Sequence, residues 1–160
     1  MDFQPKEIGK AFLWVILCQL AGAIGSIATA SSVSTWYQAL NKPWFTPPNW
    51  VFGPMWVTIY TMIGISAYLI WKQGIQKPEV KYAMQVFGIQ LLLNTLWSFV
   101  FFWLRWPMGG FFFILMVLGV VIYNAALFYE IYKPAGWLFS LYILWGSIAT
   151  AVAFYVWLLN

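Results

Sequence analysis

The sequence predicts an all-α membrane protein, a five-transmembrane-helix bundle forming a single domain over residues 1–160. Three observations predict it. The chain is 63% hydrophobic and only 8% charged, with a mean hydropathy of +0.78. A soluble domain carries roughly 25% charged residues, so a water-facing surface cannot be built from this composition. Five apolar runs each reach the ~20 residues needed to cross ~30 Å of hydrocarbon. The runs are continuous and lack the period-2 alternation of barrel strands, and a helix satisfies its own backbone in lipid.

The first span is expected at about residues 8–31. Lys6 and Lys10 precede it, and Ala21-Gly22-Ala23 has the look of a signal-peptidase site. The apolar run nevertheless continues through Ile24, Ile27 and Ala28, which suits a full span rather than a leader. Small residues are dense here (Ala21, Gly22, Ala23, Gly25, Ser26, Ala28) and let a neighbouring helix approach closely. Residues 32–51 form an aromatic, proline-rich loop. The stretch from Trp36 to Tyr60 holds four of the eight prolines (Pro43, Pro47, Pro48, Pro54) and four of the twelve tryptophans (Trp36, Trp44, Trp50, Trp56). Each proline removes a donor and restricts the residue before it, so an ordered irregular loop is expected, running into the next helix.

The remaining spans are expected at about residues 52–71, 82–104, 108–129 and 135–159, joined by short connections. Residues 72–81 carry Gly74 and Pro78, Arg105-Trp106-Pro107 is a tight turn, and Lys133-Pro134 closes the fourth helix. Five spans place the termini on opposite sides. Lys6, Lys10, Lys72, Lys77, Lys81 and Lys133 then collect on the N-terminal side, against Lys42 and Arg105 on the other. For an inner or plasma membrane, that asymmetry predicts a cytoplasmic N-terminus with the first loop outside, and a bacterial cell membrane is the expected location.

Several function classes are excluded. There is no histidine, which removes His-ligated metal or haem and a histidine general base; no metal site is expected. Cys18 is the lone cysteine and lies mid-span, as a packed core thiol does. The net charge of +4 reflects loop lysines rather than nucleic-acid binding. No charged residue lies at membrane depth and no internal repeat is evident, which argues against a proton-coupled pump, an ion channel or an inverted-repeat transporter.

Uncharged polar residues within the spans are the candidates that remain. Gln90, Asn94 and Trp97 share a face of the third helix. An amide in hydrocarbon needs a partner, and two readings stand: interhelical hydrogen bonding, or contact with a ligand's polar atom in an apolar pocket. Asn124 on the fourth helix reads as interhelical. Trp56 and Tyr60 are four apart on the second helix, and Trp145 and Ala149 repeat the spacing on the fifth, with Ala153 beyond. Trp71, Trp106 and Trp157 fit an interfacial belt. Three helices each offering an aromatic beside a small or amide residue describe a flat apolar cavity.

The pattern WY-x-x-L-x-KP-x-x-x-PP-x-W-x-x-GP-x-W-x-x-x-Y, Trp36 to Tyr60, resembles the first loop and second helix of the translocator protein family. That family includes the mitochondrial peripheral benzodiazepine receptor and bacterial tryptophan-rich sensory proteins. LNTLW-x-x-x-FF, Leu93 to Phe102, resembles its third helix, and Tyr142-x-x-Trp145-x-x-x-Ala149 its fifth. The resemblance implies a homodimer with a ligand cavity in each monomer under the first loop. It implies binding of porphyrins such as protoporphyrin IX and of benzodiazepine-site drugs, with no cofactor required and porphyrin as a ligand. The implied ligand-binding positions are Trp50, Trp56, Tyr60, Asn94, Trp97, Trp145 and Ala149, joined by Gln90 from its shared face. Trp36, Pro43, Pro47 and Pro48 would form the lid, and Lys42 would meet a porphyrin carboxylate. Val152 and Tyr155 are present but no basic residue follows them, so sterol binding is poorly supported. Leu141 and Ala153 stand where the family often has Pro and Asn. Two alternatives to a receptor or sensor follow from the same resemblance. One is light-dependent porphyrin degradation with Trp50 and Trp137 as the oxidisable residues, and the other is passive translocation of porphyrin or other lipophiles.

Overall fold

The computed structural model describes residues 5–160, with side chains from Glu7 onward. Lys6, counted above among the positive charges, lies outside the residues whose side chains are described. Five helices are long and apolar enough to cross a membrane, and no strand occurs among the described residues.

Helix α1, Pro5–Val33, is the first span. A one-turn helix α2, Trp36–Ala39, follows inside the loop that the sequence predicts. The prolines then hold the chain irregular until α3, Asn49–Trp71, which starts directly after Pro48. Helix α4, Pro78–Ser98, begins with proline at its first turn, where a missing N–H costs nothing. It continues into a π turn, Phe99–Trp103, in which Leu104 N donates to Phe99 O at 2.9 Å. Arg105, at φ 52°, reverses the chain into α5, Pro107–Ile131.

The fifth span is broken. A short α6, Lys133–Trp137, precedes α7, Ser140–Leu159. Gly136 lets α6 lie close against the end of α5, because a Cβ there would lie 2.6 Å from Tyr129 Cα. The predicted boundaries therefore extend outward by a few residues in the middle spans, and the last span acquires a kink that its apolar run does not signal.

The helices pack in the order α3, α1, α4, α5, α7, and large aromatic side chains close the ring between α7 and α3. Phe52 meets Trp145 edge-on at 5.6 Å, and Trp56 meets Tyr142 at 6.2 Å. By contrast, α1 and α3 touch backbone to backbone at one point: a Cβ on Gly64 would lie 2.7 Å from Val15 Cα. Between α4 and α5, Asn124 Nδ2 donates to Ala83 O at 3.2 Å, the interhelical role read for it. The core at the end remote from the first loop is filled by residues such as Ile63, Ile70, Val80, Phe87 and Phe128, all buried. At that end Glu7 accepts from Lys10 at 2.8 Å, from Tyr68 Oη at 2.6 Å and from Lys72 at 3.2 Å, and the bond to Glu7 raises the Lys72 pKa.

Candidate ligand cavity

A cavity of about 330 Å3 lies under the first loop, between α1, α3, α4 and α7. Its aromatic walls follow from helical spacing. Trp56 and Tyr60 sit one turn apart on α3, with ring centroids 5.6 Å apart. Trp97 and Asn94 occupy the α4 wall, and Trp145 and Ala149 occupy the α7 wall. The π turn adds Phe102: the wider turn buries both Phe101 and Phe102, and the Phe102 carbonyl accepts from Ser32 Oγ at 2.8 Å.

The polar groups are few. Asn94 Nδ2 donates to Tyr60 Oη at 2.6 Å. This leaves the amide oxygen and the tyrosine O–H with no other hydrogen-bond partner among the described residues. Trp97 Nε1 donates to Gly110 O at 3.0 Å, so its indole is fixed by the protein. Trp145 Nε1 is buried without a partner among the described residues. An unpaired buried donor is uncommon and costs about 1–3 kcal/mol, and this one stands on the wall of a cavity. The site thus offers ring faces, the Asn94–Tyr60 pair and one unsatisfied indole, together with Gln19, Ser26 and Thr29, which are already bonded within the protein, and Ser98. It has no charged group, and there is no group of three or more His, Cys, Asp or Glu side chains among the described residues.

Trp56, Tyr60, Asn94, Trp97, Trp145 and Ala149, expected at the site, all line this cavity. Gln90 does not. It is fully buried one turn deeper, where Nε2 donates to Tyr142 Oη at 3.1 Å, the interhelical alternative of its two readings. Trp50 does not reach the cavity either. It lies in the first turn of α3, 76% exposed, because it points away from the face that carries Trp56 and Tyr60. Trp137 is 66% exposed on α6, at the opposite end of the bundle, and packs on Tyr129. The two tryptophans expected to act together are therefore separated by the depth of the membrane span.

The lid residues divide as well. Pro47 lines a small apolar recess that adjoins the cavity through Phe52, Trp97, Trp145 and Ala149. Trp36 packs edge-on against Phe101 at 5.7 Å, while Pro43 and Pro48 shape the loop backbone without touching the cavity. Tyr37, 2% exposed, is the residue that pins the loop down, against Phe52, Phe101 and Phe102. Lys42 is turned inward. Its ammonium donates to the carbonyls of Tyr37, Gln38 and Leu40, and burial lowers its pKa. It is thus committed to capping α2 rather than to a ligand carboxylate. The α1 wall (Gln19, Gly22, Ala23, Gly25, Ser26, Thr29) was not anticipated as part of the site. Its signal was the density of small residues, which reads as close helix packing until the neighbouring helix is seen to diverge.

Residues 14–158 match the TspO/MBR family. A tryptophan-rich protein TspO of Archaeoglobus fulgidus is 42% identical over 146 residues, covering 91% of this chain and 94% of that protein. The translocator protein of Bos taurus is 30% identical over 145 residues, 90% of this chain and 86% of that one. A tryptophan-rich sensory protein of Cereibacter sphaeroides is 29% identical over 150 residues, covering 92% of each.

Proposed function

The chain belongs to the TspO/MBR family, and from that premise we propose that it is a membrane receptor or sensor for a flat tetrapyrrole of the protoporphyrin IX kind, which also accepts benzodiazepine-site drugs. The observation that carries the reading is the composition of the cavity wall. Trp56, Trp97 and Trp145 face one space of about 330 Å3 whose polar side chains are the Asn94–Tyr60 pair, Gln19, Ser26, Thr29 and Ser98, with no charge. This fits a ligand that is mostly ring surface with a few hydrogen-bonding atoms. A drug-sized ligand fills such a volume. A porphyrin exceeds it, so one edge of the macrocycle, with its carboxylates, stays outside the enclosed part. Its polar inner atoms or substituents would meet the free Asn94 oxygen and the Trp145 indole. We include the homodimer in the same proposal; molar mass in detergent by light scattering tests it.

Titration with protoporphyrin IX tests binding. Saturable quenching of tryptophan fluorescence is expected, weakened at least tenfold in Trp56→Phe/Asn94→Ala. Unsaturable quenching, or quenching identical in the variant, would overturn the reading.

A second reading, light-dependent breakdown of the bound pigment, is favoured by the three indoles at the cavity wall. On this geometry the oxidisable residues are Trp56 and Trp145 rather than Trp50 and Trp137. Under illumination, loss of porphyrin absorbance should slow in Trp56→Phe and Trp145→Phe and remain unchanged in Trp50→Phe. Equal bleaching in all of them, with and without protein, assigns the photochemistry to solution.

A further inference from the structure

The seam between α1 and α3 is closed at one end and open at the other. At Gly64 the two backbones are in contact, and a side chain on that residue would strike Val15. One to two helical turns nearer the start of α3, Gln19 Nε2 of α1 donates to Val57 O at 2.9 Å and to Thr61 Oγ1 at 3.0 Å. Beyond that bridge the helices part. Ala23 and Ser26 on α1 and Gly53 and Val57 on α3 all line the cavity, and all four are exposed. A Cβ added at Gly53 would meet nothing within 4 Å.

The loop side, by contrast, is covered. Tyr37 is buried in the aromatic cluster over the cavity. Asn41 is tied to α7: its N–H donates to Asn160 Oδ1 at 3.0 Å, and Asn160 Nδ2 returns a bond to Asn41 O at 2.9 Å. Phe45 packs edge-on against Tyr155 at 5.6 Å. No residue of the loop from 34 to 48 lines the main cavity.

The geometry points to a lateral portal: the cavity opens between α1 and α3 into the hydrocarbon of the leaflet on the first-loop side, and a lipid-dissolved ligand enters there with the lid closed. Ala23 and Ser26 lie seven to ten residues from the end of α1, about 10–15 Å along the helix axis, which places the mouth within the acyl chains and below the headgroups. A ligand rich in apolar surface concentrates in that phase. The mouth is edged by small residues and one valine, so a flat ring passes edge-on. Gln19 forms the sill. It anchors the helices where they part and supplies an amide at the threshold, beside the Ser26 hydroxyl, which donates to Ala23 O.

The inference rests on the ligand reading above for the identity of what enters, but the portal is testable alone. The first arm uses a small aryl diazirine dissolved in proteoliposomes, with photolabelled residues mapped by mass spectrometry. The expected result is labelling of the interior positions Trp56 and Ala149, reduced at least fivefold in Gly53→Phe and in Ala23→Phe, with unchanged labelling of the lipid-facing Phe12. Interior labelling that is absent from the wild type, or unaffected by both plugs, overturns the portal whatever the ligand is.

The second arm follows protoporphyrin IX from liposomes by stopped-flow quenching. Gly53→Phe should slow association at least tenfold. An Asn41→Cys/Asn160→Cys disulfide in a Cys18→Ala background, which locks the lid, should leave the rate within twofold. Association blocked by the disulfide and untouched by the plug overturns lateral entry. If no saturable binding occurs in any form while the diazirine pattern holds, the tetrapyrrole reading falls and the portal stands.

Discussion

The two ends of the bundle are built from similar apolar sequence and do opposite things. Remote from the first loop, α1 and α3 are in backbone contact at Gly64, the core is filled, and Glu7 gathers Lys10, Tyr68 and Lys72 around one carboxylate. Near the loop the same two helices diverge, and what fills the interior is a shell of rings around a void. Glycine serves both ends for opposite reasons. Gly64 is needed because nothing else fits, whereas Gly53 borders space that nothing in the protein occupies. A glycine in a membrane helix is thus uninformative until its neighbour is known.

Replacing each glycine breaks the contrast most sharply. Gly64→Leu forces α1 and α3 apart and should cost about 3 kcal/mol, as overpacked cores do, read as a fall in Tm in detergent. Gly53→Ala should be neutral or gain up to about 1 kcal/mol of helix propensity. Equal losses at both positions would mean the open seam is closed in the membrane.

The next effect lies within the cavity. Tyr60→Phe and Asn94→Ala each remove one side of the 2.6 Å bond. They should couple by about 1 kcal/mol in a double-mutant cycle of stability. On the proposed function, Asn94→Ala should also weaken protoporphyrin binding about tenfold, or about 1.4 kcal/mol.

The indoles give a smaller, paired test. Trp97→Phe strands the Gly110 carbonyl and should cost about 1 kcal/mol more than Trp145→Phe, whose N–H has no partner to lose among the described residues. Thermal unfolding of the two variants side by side reads the difference. The smallest effect is expected at Trp50 and Trp137. Phenylalanine at either should change stability by no more than about 0.5 kcal/mol and leave protoporphyrin quenching saturable at the same concentration.

What was legible in the sequence follows from which forces are local. Span existence is set by composition over about 20 residues, so all five spans and their order could be read directly. Helical spacing placed Trp56 with Tyr60, Asn94 with Trp97, and Trp145 with Ala149 on common faces, and each pair reaches the cavity. Spacing does not say how deep a face points into the bundle. Gln90 shares the Asn94 face yet ends one turn too far down, against Tyr142. Trp50 belongs to the conspicuous loop stretch, but its azimuth on α3 differs from that of Trp56 by six residues of rotation, which turns it outward. The α1 wall was hidden because small residues serve contact and vacancy alike. The break before Ser140 carries no local signal in the apolar run, and the close approach of Gly136 to the preceding helix is a tertiary fact.

The π turn at Phe99–Trp103 carries a consequence for how this chain tolerates change in length. Its extra residue is absorbed locally, and the helix before it keeps its register against α1 and α3. Deleting one residue there would restore ordinary α-helical winding and leave the flanking register intact, but the narrower turn would present fewer rings inward. One of the two burials made by Phe101 and Phe102 would be lost, together with the local backbone geometry that offers the Phe102 carbonyl to Ser32. Substitutions among the five aromatic and aliphatic residues of that turn alter only surface and volume. A single-codon deletion in this turn would thin one wall of the chamber and spare the rest, whereas the same deletion earlier in α4 would rotate the Asn94 and Trp97 face by about 100°.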